Sequence, residues 1–193
     1  PFREIFHHPI LFVYGADDPK EAQANEEVAR AWAKMRWGVS VRYQVVSDRE
    51  FLAKKGSLKE DRSLFLVGSA RTNRVLRALE HPGLPFRIDG GAVVARTGER
   101  FTGKELGVVF TFPNPERPNR PIAVIEGTDA AGTYRSLSLP ELLPDFVVYD
   151  ETVAAARGEQ VLATGTVLAA GFFERDWSLP KEIRDPLAPK SGK

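Results

Sequence analysis

Two short runs of apolar residues, each ending in glycine, dominate the first half of the chain. They extend from Ile10 to Gly15 and from Leu64 to Gly68. Runs that are apolar at every position are typical of strands buried on both faces, as in a parallel sheet. The alternation of such runs with helical patterns predicts parallel strands joined by crossover helices.

Helical spacing of apolar residues follows the first run. A helix is predicted from Pro19 to about Trp37, with Asp18 as its cap and Glu21 completing a capping-box pattern. Gly38 is suited to end it. Its buried stripe, at helical spacing, comprises Val28, Trp32 and Met35.

The middle of the chain has a different pattern, in which short strands are separated by glycines. It predicts antiparallel hairpins that form an insertion over about residues 86–112. Outside it, strands are predicted at Val41–Val46, Ile122–Glu126, Phe146–Tyr149, Val161–Thr164 and Val167–Phe172, and helices after Ser69 and Thr128. The predicted fold is a single Rossmann-like three-layer α/β domain over residues 1–180. It has a mainly parallel sheet and an antiparallel β-hairpin insertion, and residues 181–193 are expected to be a disordered tail.

Composition narrows the functional classes. The 193 residues carry a net charge of +1 with acidic and basic residues well mixed, so nucleic acid binding, which favours a basic stripe, is not expected. No apolar run reaches the roughly 20 residues of a membrane span. The absence of cysteine excludes disulfides and cysteine metal sites.

Motifs for the common catalytic chemistries are missing from the sequence. Acyl transfer by a serine needs an elbow of the form G-x-S-x-G, and none occurs. The histidines His7, His8 and His81 lack metal-ligand spacing and are interpreted as loop residues. The segment Gly98 to Glu105 imitates a P-loop, but Glu105 stands where a serine or threonine is needed. We therefore predict no catalytic residue, metal or cofactor.

A ligand site is a candidate at one edge of the predicted sheet. The ends of the two glycine-terminated strands are expected to be neighbours at the carboxyl edge, where open α/β sheets bind ligands. Free backbone N–H groups at the start of a helix favour an anion there. A purely structural role, with Ser69 and Thr72 capping the helix that follows them, is the alternative interpretation, and capping also explains Asp18 without any chemistry. The candidate residues are Gly15, Asp17, Asp18, Gly68, Ser69, Arg71, Thr72 and Asn73.

Aromatic residues near the end of the chain offer a second kind of surface. Phe172, Phe173 and Trp177 lie in a short segment with charged neighbours. Such residues more often belong to a core or an interface than to a ligand platform. If another domain packs here, an exposed apolar patch should remain when that domain is absent.

Several phrases of the sequence, in this order and spacing, carry a resemblance to a known family. The chain resembles the region C-terminal to the catalytic domain in large bacterial α/β-hydrolases of the prolyl-oligopeptidase-like (S9-type) class. The resemblance covers roughly residues 1 to 180. The phrases are Pro9 to Pro19 (PILFVYGADDP), Leu64 to Asn73 (LFLVGSARTN), Leu84 to Asp89 (LPFRID), Val109 to Pro115 (VFTFPNP), Val124 to Gly132 (VIEGTDAAG), Asp145 to Asp150 (DFVVYD) and Ala169 to Trp177 (AAGFFERDW).

The resemblance implies an accessory domain whose serine hydrolase triad lies upstream, in a peptidase or esterase. The implied partner is the catalytic α/β-hydrolase domain of the same parent protein, and the implied location is extracellular or periplasmic. Two alternatives stay open. One is a small-molecule or anion-binding module. The other is that the chain is part of the hydrolase core itself, with Asp17 delivered by the strand before it, which requires a histidine loop downstream.

Overall fold

A seven-stranded sheet forms the centre of the structure, which is a computed structural model. The structure describes residues 2–34, 43–54, 62–79, 83–154, 162 and 165–188. The spatial order of the large sheet is β10-β9-β7-β8-β3-β1-β2, and β4, β5 and β6 form a separate antiparallel sheet. The strands are β1 Ile10–Tyr14, β2 Gln44–Ser47, β3 Ser63–Val67, β4 Phe86–Asp89, β5 Ala92–Ala95, β6 Arg100–Phe101, β7 Gly107–Asn114, β8 Arg117–Gly127, β9 Phe146–Tyr149 and β10 Ala169–Gly171.

The directions of the strands make the large sheet mixed. β1 is parallel to β2 and β3, and β3 is parallel to β8. β7 is antiparallel to β8 and β9, and β10 is antiparallel to β9. Five of the seven strands therefore run in one direction. The α/β class and the separate antiparallel hairpins agree with the predictions. β9 departs from the parallel pairing that dominates the predicted sheet, because it is antiparallel to both β7 and β10.

Within the described residues, four short or medium α-helices cover the sheet. They are α1 Pro19–Trp32, α2 Asp48–Ala53, α3 Arg74–Leu79 and α4 Ala130–Arg135, with 3-10 helices at Phe2–His7, Ser136–Ser138 and Glu151–Ala154. α1 ends at Trp32 and not near Trp37, and Met35, Trp37 and Gly38 lie outside the described residues. No helix in the described part of the chain combines the length and the apolarity that a membrane crossing requires.

Side chains that alternate along each strand belong to two hydrophobic clusters, one on each face of the sheet. In β1, Leu11 and Val13 join the cluster that includes α3 and the small sheet, whereas Phe12 joins the cluster beneath α1. Phe12 stacks on Phe65 of β3 with ring centroids 4.4 Å apart. Such a pair adds about 1 kcal/mol beyond its burial. Both faces of β1 are thus buried, as the continuous apolar run predicts.

Two segments differ from the predicted domain layout. β7 belongs to the large sheet, so the antiparallel insertion spans β4 to β6 and does not extend to residue 112. The predicted disordered tail does not describe residues 181–188. Ile183 is buried in the core, and Arg184 forms a β-bridge with Ala169. Residues 189–193 lie outside the described part.

Candidate functional site

The loops that follow β1 and β3 contact each other directly at the carboxyl edge of the sheet. The Asp17 N–H donates to the Thr72 carbonyl at 3.0 Å, and the Gly15 N–H donates to Val67 at 2.9 Å. A Cβ on Gly15 would lie 2.5 Å from the Thr72 oxygen, so only glycine permits this approach. The crevice where the sheet order predicts a ligand is therefore closed by backbone.

Two buried asparagines hold this junction together. Asn25 of α1 donates through Nδ2 to the Gly15 carbonyl at 2.9 Å and to Thr72 Oγ1 at 3.3 Å. Asn73 donates to the carbonyls of Val13 and Val67, at 3.0 and 3.1 Å. Its Oδ1 accepts the N–H groups of the second and third residues of α3, Val75 and Leu76, which makes Asn73 the cap of that helix. The cap of α3 is therefore Asn73, and not Ser69 or Thr72, which the structural alternative names as caps.

Gly68 and Ser69, two further predicted residues, lie at the same junction. Gly68 has a φ of +99°, and a Cβ there would lie 2.7 Å from Asn25 Nδ2. The carbonyl of the buried Ser69 accepts the N–H groups of Thr72 and Asn73, at 2.9 and 2.8 Å. All eight predicted residues are therefore gathered at one place, but several of their backbone donors are already bonded within the protein.

Three arginines surround the carboxylate of Asp17. Arg74 Nε donates to Asp17 Oδ1 at 2.9 Å, Arg77 Nη2 to Oδ2 at 2.9 Å, and Arg49 lies 3.9 Å away. The hydrogen bonds from Arg74 and Arg77 lower the pKa of Asp17 to about 2. Arg77 also donates to the carbonyls of Ala70 and Arg71, which fixes its orientation.

Arg71 is shared by two carboxyl groups of the α1 start. Its Nη1 donates to Asp18 Oδ2 at 2.8 Å, and its Nη2 contacts Glu21 Oε1. Asp18 also accepts the Lys20 N–H at 2.9 Å, which confirms it as the cap of α1 and lowers its pKa. The predicted capping box is wrong in its second half, because Glu21 turns inward to Arg71 and is buried.

Asp48, which sequence reasoning missed, is the buried carboxylate of this region. It is fully buried. Its Oδ1 accepts the N–H groups of Ala16 and Arg49, at 3.1 and 2.9 Å, and its Oδ2 accepts the Arg74 N–H at 2.8 Å. It therefore ties the loop after β1 to the starts of α2 and α3. The signal in the sequence is an acidic residue directly after a strand, at the same edge as Gly15 and Gly68.

The chemistry available at this edge follows from these contacts. Arg49, Arg71, Arg74 and Arg77 each already have a carboxyl partner among Asp17, Asp18 and Glu21. An anion would have to displace a resident carboxylate. Two buried oxygens, Glu21 Oε2 and Asn25 Oδ1, accept no hydrogen bond. The buried groups that lack a partner at this edge are thus acceptors, whereas an anion needs donors.

The described histidines lie away from these carboxylates. His7 pairs with Glu4 at 3.1 Å, and His8 lies 3.3 Å from Arg120. His81, the histidine that the hydrolase-core alternative could use, lies outside the described residues. Over the described ranges, no group of three or more His, Cys, Asp or Glu side chains is arranged to hold a metal ion.

A second surface, which we call the apolar groove, lies beside the start of β9 and along β10, away from the carboxyl edge of the sheet. It has a volume of about 480 Å³ and is mostly apolar. Leu142 and Phe172, on its wall, are 44% and 57% exposed. Trp177, further along the same segment, is 41% exposed, packs on Phe112 and Phe173, and has a φ of +65°. The groove is lined by Arg3, Leu142, Leu143, Pro144, Leu162, Ala170, Gly171 and Phe172.

No protein-family model matches this chain, and neither does any curated protein or any solved structure.

Proposed function

We propose that this chain is a non-catalytic accessory domain of a larger bacterial serine hydrolase, a peptidase or esterase, and that it docks on the catalytic domain of the same parent. We also assign the large sheet to the Rossmann-like class. The order β2-β1-β3-β8, with α1 and α3 on opposite faces, is typical of that class. The extracellular or periplasmic location implied by the resemblance is part of the proposal.

The observation that carries the non-catalytic part is the environment of Asp17. A serine hydrolase acid orients a histidine, which in turn activates the serine. Asp17 stands where a hydrolase strand would deliver that acid, but its two oxygens accept from Arg74 and Arg77. Both oxygens are thus taken by guanidinium groups, which leaves neither of them to orient a histidine. This weighs against the hydrolase-core alternative.

The docking part of the proposal is supported by the apolar groove. Isolated exposed apolar residues are ordinary, but a groove that contains two exposed large side chains suits the surface of another domain. Interfaces between domains of one chain are usually modest in area, so a few such residues matter for docking. The groove lies on the far edge of the sheet from the Asp17 cluster, so docking there leaves the cluster undisturbed.

The coding sequence upstream of residue 1 tests the parentage. We expect a G-x-S-x-G elbow in the same reading frame; an upstream frame without a hydrolase contradicts the proposal. In the parent, Phe172→Asp should release the domain, which limited proteolysis of the linker region detects. Leu187→Asp, at a residue that is 71% exposed and away from the groove, is the matched control and should leave cleavage unchanged.

An anion-binding module is the second candidate, favoured by the three arginines that converge on Asp17. A thermal shift screen with phosphate, nucleotides and sugar phosphates tests it. Ligand at 100 times its dissociation constant adds about 2.7 kcal/mol of stability, a shift of roughly 2–4 °C. Unchanged melting across the panel, or binding that survives both Arg71→Ala and Arg74→Ala, contradicts this candidate.

A further inference from the structure

The start of α1 carries one more carboxyl group than its arginine can neutralise. Arg71 contacts both Asp18 and Glu21, while Arg74 and Arg77 are engaged by Asp17. Asp18 is the more exposed of the two, accepts a backbone N–H and has a lowered pKa. Glu21 is buried, with 8% of its side chain exposed. A buried acid that shares its counter-ion with a second carboxylate is easier to protonate than one with an arginine of its own.

One hydrogen-bond donor is missing next to Glu21, where two buried oxygens accept nothing. Glu21 Oε2 and Asn25 Oδ1 are both buried and accept no bond. The orientation of the Asn25 amide is determined by its partners. Its Nδ2 faces the Gly15 carbonyl, and it also faces Thr72 Oγ1, whose own hydrogen goes to the Ser69 carbonyl. Asn25 Oδ1 is therefore a true acceptor, and a buried acceptor without a donor is costly.

We propose that Glu21 holds a proton on Oε2 in the folded protein and donates it to Asn25 Oδ1. The two residues are four apart on α1, the spacing at which helical side chains meet. One proton supplies the missing donor, satisfies both oxygens and leaves Arg71 to Asp18. When Glu21 loses this proton, two carboxylates share one guanidinium, and Glu21 Oε2 and Asn25 Oδ1 face each other with no hydrogen between them. The resulting repulsion loosens α1 from the loop after β3. The Glu21–Asn25 contact lies within α1, and it acts as a pH-sensitive latch that holds α1 to the loops after β1 and β3 through the partners of Asn25 and Glu21.

The charged groups around Glu21 act in both directions. Burial raises the pKa of Glu21, and Asp18 and Asp129 raise it further, whereas Arg71 lowers it, and the net direction is upward. Arg71 comes from the loop after β3, Asp18 from the cap of α1, and Asp129 from the start of α4. These charges thus reach the carboxyl from the cap of α1, from the loop after β3 and from the start of α4.

Protonation linked to folding gives the test a definite sign. Because the folded state binds the proton more tightly than the unfolded chain, stability is greatest below the unfolded pKa of Glu and falls as the pH rises through the folded value. Glu21→Gln replaces the acid by a permanent donor to Asn25. We expect its unfolding equilibrium constant to lose this pH dependence, so that wild type weakens relative to it by up to about tenfold per pH unit in that window.

The experiment combines urea unfolding from pH 4 to pH 8 with an NMR titration of the Glu21 carboxyl. Glu26→Gln, at a partly exposed residue of the same helix paired with Arg30, is the matched control and should run parallel to wild type. A Glu21 pKa at or below its ordinary value, or parallel wild-type and Glu21→Gln profiles, overturns the proposal. A raised pKa that falls in Asn25→Ala supports the Glu21–Asn25 bond, and one that Asn25→Ala leaves unchanged overturns it.

Discussion

The carboxyl edge of the sheet and the apolar groove at β10 are both places where the sequence suggests binding. They differ in whether residues of the chain itself already occupy the groups that could bind a partner. At the carboxyl edge, Asp17 is bound by arginines, and Asp48 accepts three backbone N–H groups. In the groove, Leu142 and Phe172 remain exposed. A polar edge that is bonded internally serves the fold, whereas an apolar groove is covered only when another surface packs on it. The comparison therefore assigns stability to the first region and docking to the second.

Removal of the Asp48 carboxylate is expected to have the largest effect on this comparison. Asp48→Ala leaves the N–H groups of Ala16, Arg49 and Arg74 without their acceptor in a buried place. We expect a loss of about 3 kcal/mol in the free energy of unfolding, measured by urea denaturation. Arg49→Ala, at an exposed side chain, is the control and should change stability by less than about 0.5 kcal/mol. A near-neutral Asp48→Ala contradicts the structural role of the edge.

Gly15→Ala tests the direct contact of the two loops. The new Cβ would meet the Thr72 carbonyl, a backbone atom that cannot easily move. We expect a loss of about 2–3 kcal/mol, measured by thermal and urea unfolding. Gly91→Ala has open space around its Cβ but a φ of +74°, so it should lose only about 1 kcal/mol from backbone strain. Equal losses at the two glycines would speak against a closed crevice.

Acid titration sharpens the role of Asp17. Its pKa is lowered to about 2 by Arg74 and Arg77, so its contribution is present above the unfolded value near 4 and is lost as the pH falls toward 2. Asp17→Asn should reduce stability modestly at neutral pH and flatten the dependence between pH 4 and pH 2, in urea midpoints at low salt. The exposed Glu182 provides the control: Glu182→Gln should retain the wild-type slope.

The groove should give the smallest effect in the isolated chain. Because Phe172 is more than half exposed, Phe172→Ser is expected to change the free energy of unfolding by no more than about 0.5 kcal/mol. Leu142→Ser should behave in the same way. Loss of more than about 2 kcal/mol in chemical denaturation would mean that these residues belong to the core, and would remove the contrast with the carboxyl edge.

The parts of the fold that were predictable are those with a local signal. β1 and the stretch Leu64–Val67 of β3 are apolar at every position and are followed by glycine, and the glycines between β4, β5 and β6 mark these strands as hairpins. The direction of β9 relative to β7 was not predictable, because a strand buried on both faces has the same pattern beside either kind of neighbour. Ile183 is a single apolar residue among polar ones, too weak a signal against a disordered tail.

The location of the candidate site was predictable, but its internal bonding was not. The order of the elements predicts that the ends of β1 and β3 lie at one edge of the sheet, which brings Gly15 and Gly68 together. The partners of Asp17 are long side chains of α3, whose reach depends on how that helix lies across the edge. Asp48 is distinguished only by burial, a property of the folded chain.

Hydrolysis of short-chain p-nitrophenyl esters by the purified chain tests the central claim most directly. The account predicts a rate equal to that of buffer alone, unchanged in Asp17→Ala, because the carboxylate serves the arginines and not a catalytic base. Saturable turnover by the wild-type chain, lost in Asp17→Ala, would contradict it.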